Sequence, residues 1–330
     1  MHAWILLLTF GLTMLVVLRI LCNLRMFKQV WYVKYSYKDY KKKRKDWLEN
    51  QVPKWEKSNL ARPTKTIVKS LPKIIFTGLA KDIHDPLRAN LEYLLDICKN
   101  HCEDYRIIIV ENDSTDGTKE YIQKQTELDP KIILLSSNEG IPSAVSHGGL
   151  STKRFEIMSY WRNKYIEEIK KDQYDRYKDF DYVCVTDLDH HVGTTANSLK
   201  TCFEHDQWDA ISANGISTNY TTFEMDIAFF LTNDFYYDRL AYRDADYKRV
   251  KRHSPVDIKS ATLNFPYFDI NDSTLKPVTS GFGGITIYRK EALLSATYAG
   301  YDCEHICLHD KMIQNGYNRM FVNPKFVLWH

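Results

Sequence analysis

From residue 73 onward the chain alternates between two hydrophobic patterns. Short, almost wholly apolar runs occur at 73–80, 105–112, 131–137 and 182–189, reading "KIIFTGLA", "YRIIIVEN", "KIILLSS" and "YVCVTDLD". Runs of that length and β-branched content predict strands buried on both faces, as in the middle of a parallel sheet. Between them the apolar spacing becomes helical. Leu87, Leu91, Leu94, Leu95 and Cys98 share one face over 85–100, and Pro86 suits a first helical turn. Residues 114–125 open on Ser114, a favourable N-cap, and 152–171 predict a long helix. Strand and helix units alternating at this length predict an α/β fold: a doubly wound, mixed but mostly parallel sheet with helices on both faces.

Beyond residue 189 the alternation loosens. Residues 197–205 have helical spacing, 208–215 and 283–290 read as strands, and 303–316 predict a helix stopped at Gly316. Residues 318–330 close the chain in an extended pattern. The stretch 217–280 is rich in Tyr, Phe, Asn and Asp, and predicts loops and short strands facing a substrate.

The N-terminal part follows neither pattern. Residues 3–22, "AWILLLTFGLTMLVVLRILC", are apolar except for Arg19 and a few small polar residues, long enough to span a bilayer as a helix. No basic start and no small-residue cleavage site mark them as a removable signal, so an uncleaved anchor over 1–24 is expected, with Arg19 reaching the interface. Residues 25–70 then read as a basic stem. From Arg25 to Lys45 there are nine basic residues and one acid, a net +8, leaving −5 for the rest of a chain whose total is +3. A basic collar on a mildly acidic body argues against a nucleic-acid partner. It also argues for a cytosolic flank by the positive-inside tendency. Of the seven cysteines, Cys98/Cys102 and Cys303/Cys307 are four apart, and no CxxC pair suggests structural zinc.

One stretch carries chemistry. "TDLD", residues 186–189, puts Asp187 and Asp189 where a buried strand runs out, the place where open α/β sheets bind ligands. Two carboxylates that close repel each other unless something positive lies between them.

Read with "VENDSTDGT" at 110–118, this stretch resembles the glycosyltransferases of the GT-A fold, the family-2 type in particular. The resemblance covers about residues 73–330. A closer resemblance, through "ENDSTDGT", "CEH", "NP" and the anchored architecture, is to the fungal capsule-associated cryptococcal mannosyltransferase group. It implies a nucleotide-sugar half over 71–191 and an acceptor half over 192–330. It further implies hexose transfer, with mannose from GDP-mannose as one donor, to a glycan or glycoprotein hydroxyl. The body of such an anchored enzyme usually faces the ER or Golgi lumen, which conflicts with the basic collar. A sugar-phosphate nucleotidyltransferase, or an inactive carbohydrate-binding protein on the same fold, are the competing readings.

The resemblance also implies site residues. Mn2+ or Mg2+ would be held by Asp189 directly and by Asp187, which binds it through water or holds the ribose. His330 is a further ligand or else a frayed end. Hard cations of this kind take oxygen ligands and bridge a departing diphosphate. Thr77, Gly78, Glu111, Asn112, Arg162 and Asn163 are implied around the donor, although Asn112 stands where a second acid is common. Gly281, Gly283 and Gly284 of "TSGFGG" would let backbone approach the acceptor. Glu304, with Asp302 second, would deprotonate the acceptor hydroxyl if transfer inverts, and only bind the acceptor if it retains. His190 and His191 follow the acids, but neighbouring residues on an extended chain point apart, so at most one faces the site.

Overall fold

A computed structural model describes residues 36–50, 69–141, 144, 151–190, 192–216, 236–238, 240–246 and 268–329. The elements are α1 (Tyr37–Asn50), β1 (Ile74–Ala80), α2 (His84–His101), β2 (Tyr105–Asn112), α3 (Thr118–Leu128), β3 (Ile132–Ser137), α4 (Thr152–Lys171), β4 (Tyr182–Thr186), α5 (Ala196–Lys200), β5 (Ala210–Ile216), β6 (Arg243–Asp244), β7 (Lys276–Ser280), β8 (Ile285–Arg289), α6 (Lys290–Leu294), α7 (Glu304–Gln314) and β9 (Met320–Trp329). The expected anchor, residues 1–24, and much of the stem lie outside the described residues. Among those that are described, no helix is long and apolar enough to cross a membrane.

The strands form one sheet in the order β3-β2-β1-β4-β8-β5-β9-β7-β6. Apolar side chains leave it on both faces. Ile75, Ile108, Val183 and Val185 pack under Phe155, Trp161 and Tyr165 of α4 and Ile306 and Leu308 of α7. Ile74, Phe76, Ile107 and Ile109 pack under Leu87, Leu91 and Leu95 of α2 and Ile122 of α3. The three-layer arrangement follows from the strands being apolar on both sides.

The expectation of a mostly parallel sheet needs correction. The pairs β1/β2, β1/β4, β2/β3 and β5/β9 are parallel, whereas β4/β8, β5/β8, β7/β9 and β6/β7 are antiparallel. The antiparallel β8 is inserted between β4 and β5. Its direction matters, because the chain enters β8 at the carboxyl end of β4 and delivers the "TSGFGG" loop there. The "NP" element has a structural use: the β5/β9 register jumps from Ala213↔Asn323 to Asn214↔Val327, so Pro324 sits in a bulge and not in the hydrogen-bonded ladder.

The charged stem is not simply a linker. Helix α1 lies against α2. The Tyr37 hydroxyl donates to Glu92, Lys41 Nζ donates to Glu92 at 3.3 Å, and Arg88 stacks over the Tyr37 ring at 3.9 Å. At the other end of the expected helix 114–125, the first turn starts later than Ser114. Gly117 at φ +91° is the N-cap residue and α3 begins at Thr118. The Ser114 hydroxyl instead accepts from the Asp82 backbone N–H at 3.1 Å.

Candidate active site

The carboxyl ends of β1, β2 and β4, the start of β8 and the first turn of α7 meet at one edge of the sheet. Asp187 leaves β4 there, and its backbone N–H donates to the Gly284 carbonyl at 2.9 Å. Helix α4 crosses above it, because its apolar stripe is anchored on the sheet, and this places Arg162 inside the cluster at 3% exposure. Arg162 Nε donates to Glu304 Oε1 at 3.2 Å and Nη2 to Asp187 Oδ1 at 3.4 Å. Its guanidinium also lies over the rings of Phe282, at 5.4 Å, and Tyr298, at 5.8 Å. Thus three of the residues expected from the sequence converge: Asp187, Arg162 and Glu304.

The electrostatics of this cluster are unbalanced. Burial pushes the Asp187 carboxyl up to about 8, with Asp189, Asp238 and Glu304 adding to the effect and Arg162 opposing it. Burial likewise pushes Asp238 up to about 6. Arg162 is held above its ordinary range: burial opposes its charge, but Tyr165, Glu304, Tyr298 and Asp187 outweigh that. Arg162, with Arg154 also acting on Asp238, therefore faces several carboxylates, and a further cation would relieve them. Nη1 of Arg162 is buried and has no hydrogen-bond partner among the described residues. Two aspartates on a short loop offer hard oxygen ligands. Among the described residues, no three His, Cys, Asp or Glu side chains are grouped to hold a metal by themselves. This donor set fits Mn2+ or Mg2+ bound by one or two carboxylates and completed by substrate phosphates and water, not a closed protein cage.

The remaining expected residues have other partners. Glu111 is fully buried: Oε1 accepts from the Ser114 N–H at 2.9 Å and Oε2 from the Ser136 hydroxyl at 2.6 Å. Its carboxylate is thus engaged in joining the β2–α3 turn to the end of β3. The Asn112 carbonyl accepts from Lys81 Nζ at 3.1 Å. Asp116 binds the same turn to α2 through the His84 N–H, at 3.0 Å, and starts α3 through the Thr118 N–H, at 3.0 Å. Asn163 exchanges two bonds with the Tyr298 backbone, at 3.0 and 2.9 Å, and so fixes the ring that flanks Arg162. Thr77 is buried, its hydroxyl without a partner among the described residues. Asp302 pairs with Arg243 of β6 at 3.1 Å.

The glycines owe their identity to the protein's own packing. A Cβ on Gly78 would lie 2.5 Å from the Thr186 carbonyl oxygen, and one on Gly283 2.2 Å from that of Ala213. At Gly284 it would lie 2.6 Å from Leu328, whereas Gly281 meets Ser212 Oγ at 3.3 Å. Gly283 and Gly284 also have φ of +61° and +83°, which disfavours any side chain. His190 turns inward, its Nε2 3.0 Å from the Thr186 hydroxyl. His191 and His330 lie outside the described residues. Trp329, next to His330, exchanges two 2.9 Å backbone bonds with Gly193, close to the acidic loop.

Several site residues had no sequence signal strong enough to single them out. Asp238 sits in the stretch read as substrate-facing loops. Phe282 stacks on the His305 ring with centroids 3.8 Å apart. Burial, then Arg162, drives the His305 pKa well below the ordinary range, so it is neutral. Only a fold that brings residue 282 beside residue 305 reveals either.

Comparison with family models matches one segment of the chain. Residues 85–151, from α2 into the stretch before α4, match the model of glycosyl transferase family 2. No curated protein sequence matches the chain. Among solved structures, it is similar to the mannosyltransferase PcManGT from Pyrobaculum calidifontis in complex with GDP-Man and Mn2+, with TM-score 0.45 and 12% identity over 89% of this chain and 68% of that one. Similarity extends to TarS 1–349 of S. aureus in complex with UDP-GlcNAc, with TM-score 0.42 and 14% identity over 78% of this chain and 58% of that one. It extends also to GalNAc-T7 with UDP, GalNAc and Mn2+, with TM-score 0.45 and 12% identity over 80% of this chain and 44% of that one. The chain thus spans about half the length of the latter two, and no residue correspondence follows at these scores. The family match makes residues 85–151, about a fifth of the chain, similar to part of a glycosyl transferase family 2 domain.

Proposed function

We propose that this protein is a membrane-anchored, divalent-cation-dependent glycosyltransferase of GT-A type that moves a hexose from a nucleotide sugar to a glycan hydroxyl. The observation that carries the reading is Arg162, buried and shared between Asp187 at the end of β4 and Glu304 at the start of α7. Asp187 and Asp189 would hold Mn2+ or Mg2+, and His330 is a further candidate ligand. When bound, the cation supplies Lewis-acid stabilisation of the departing diphosphate.

The chain's own residues do the rest. Arg162 keeps its charge in a buried setting, a fixed positive group beside the acid that would hold the cation. Arg162 donates to Glu304 Oε1 and the Cys303 thiol, a weak donor, to Oε2 at 3.7 Å, so Oε2 is the less committed oxygen to take the acceptor hydroxyl's proton in an inverting reaction. Phe282, stacked on His305, and Tyr298, fixed by Asn163, give the cluster an apolar rim that excludes water.

GDP-mannose is the first donor to test, on the resemblance of "ENDSTDGT", "CEH" and "NP" to the fungal mannosyltransferases. Binding of GDP-mannose, UDP-GlcNAc and other nucleotide sugars, titrated with and without Mn2+, checks the reading and selects the donor. Binding that is equally tight without the metal would count against it. The lumenal placement is tested by glycosylation at Asn219 and at Asn271, the latter half-buried in the turn beginning at Asp269. Glycan on either site places the body in the lumen, against the basic collar.

A further inference from the structure

The loop that carries Asp187 and Asp189 is held from outside the sheet by a residue of the basic stem. Arg44 of α1 is 5% exposed. Its Nε donates to the Val192 carbonyl at 2.5 Å, its Nη1 to the Ala89 carbonyl and its Nη2 to Asn90 Oδ1, and it lies over the Tyr93 ring at 4.8 Å. Asn90 continues the connection. Its Nδ2 donates to the Leu188 carbonyl at 2.9 Å and to the His190 carbonyl at 3.0 Å. These two carbonyls flank Asp189. Behind the loop, where Leu188 is buried, lies a small cavity lined by Asn90, Tyr93, Leu94, Thr186, Leu188 and His190.

We propose that Arg44 and Asn90 are positioning residues for the acidic loop, and that α1 is thereby a working part of the catalytic domain. This rests on the reading that Asp187 and Asp189 bind the cation. A buried guanidinium is costly unless its donors are used. Here two of the three, to the Val192 carbonyl and to Asn90 Oδ1, go to groups that set the path of the loop, and the third joins α1 to the Ala89 carbonyl of α2. The surface lysines of the same helix have no such role. Groups that orient metal ligands from behind typically change metal affinity about 10–100-fold when removed.

The test uses the full-length protein in detergent, with Mn2+ alone titrated by electron paramagnetic resonance. Hydrogen exchange of 187–193 without metal and the melting temperature are measured alongside. Asn90→Asp keeps an acceptor for Arg44 and removes both donors to the loop. It is expected to leave α1 docked and melting near the parent value, to weaken Mn2+ about tenfold or more, and to speed exchange at 187–193. Arg44→Ala should do the same with some loss of melting temperature, with partial restoration by millimolar methylguanidinium, and Arg44→Lys should not restore the parent. Lys42→Ala is the control and should change nothing. Unchanged exchange at 187–193 in Asn90→Asp and Arg44→Ala, with Mn2+ affinity within about twofold of the parent, would overturn the proposal and leave α1 a stabilising appendage. If the parent does not bind Mn2+, or Asp187→Asn binds it equally well, the metal reading itself fails, and the exchange data still decide whether Arg44 and Asn90 hold the loop.

Discussion

Arg162 Nε lies 3.2 Å from Glu304 Oε1, although the two residues are 142 positions apart. The same guanidinium reaches Asp187, so one cation joins the expected acceptor-side acid to the expected metal-side acid. Lysine can keep the charge but not the two directed donors and the spare Nη1. Arg162→Lys is expected to lower kcat about 100-fold or more while the protein remains folded. Arg162→Ala, which leaves buried carboxylates unpaired, should also cost about 3–5 kcal/mol of stability. Steady-state kinetics beside urea unfolding separates the two effects. Parent-like turnover in Arg162→Lys would remove the guanidinium from the mechanism.

Glu304→Gln preserves shape and removes the base. A general base contributes about 10²–10⁴-fold, so transfer should fall by that factor while nucleoside-diphosphate binding stays within a few-fold of the parent. Product stereochemistry is to be read in the same assay. A nearly active Glu304→Gln giving retained configuration assigns Glu304 to acceptor binding.

Gly283 is required by packing as well as by backbone conformation. Its φ is +61°, and a Cβ would stand 2.2 Å from the Ala213 carbonyl oxygen. Gly283→Ala should destabilise the fold by about 2 kcal/mol or more, measured by denaturant midpoint. It should also impair transfer, because the adjacent Gly284 carbonyl fixes the Asp187 backbone. A midpoint equal to the parent's would show that β5 and β8 yield at no cost.

His309 gives a pH signature. Its Nδ1 lies 2.8 Å from the Ser280 hydroxyl and its Nε2 2.9 Å from that of Tyr288, and burial pushes its pKa down to about 3. An unfolded histidine takes up a proton near pH 6.5, which the folded one cannot accept until about pH 3. Its contribution is therefore fully present above about 6.5 and is lost as pH falls below that, by up to about 1.4 kcal/mol per pH unit. Asp187, pushed up to about 8, acts in the opposite sense, so the comparison must be with His309→Gln. That variant should be less stable than the parent near pH 7, with the gap shrinking by about 2 kcal/mol near pH 5. A constant gap would mean that His309 takes up a proton in the fold as readily as in the unfolded chain.

Much of this was legible from residue patterns. The runs at 105–112 and 152–171 match β2 and α4, and "YVCVT" followed by two aspartates marked the strand end at which Arg162 and Glu304 gather. Strand direction was not legible: "ITIYR" has the same apolar character whether parallel or antiparallel, so the insertion of β8 had no signal. Nor was the docking of α1. A hydrophobic period cannot register a helix whose contact is made by Tyr37, Lys41 and Arg44, and a buried arginine reads in sequence as one more charge in a basic run. Glu111 shows the reverse: the family resemblance implied a donor contact, whereas one of its oxygens is used by the Ser114 N–H of the turn and the other by Ser136 of β3.

The most direct test is release of nucleoside diphosphate from a panel of nucleotide sugars by the full-length protein, with Mn2+ and with excess chelator. Asp187→Asn and Asp189→Ala are assayed alongside at matched melting temperature. Release from one donor should require Mn2+, vanish in chelator and be lost in both variants. Near-parent release in chelator, or by folded Asp189→Ala, would contradict a metal-assisted transfer at this site.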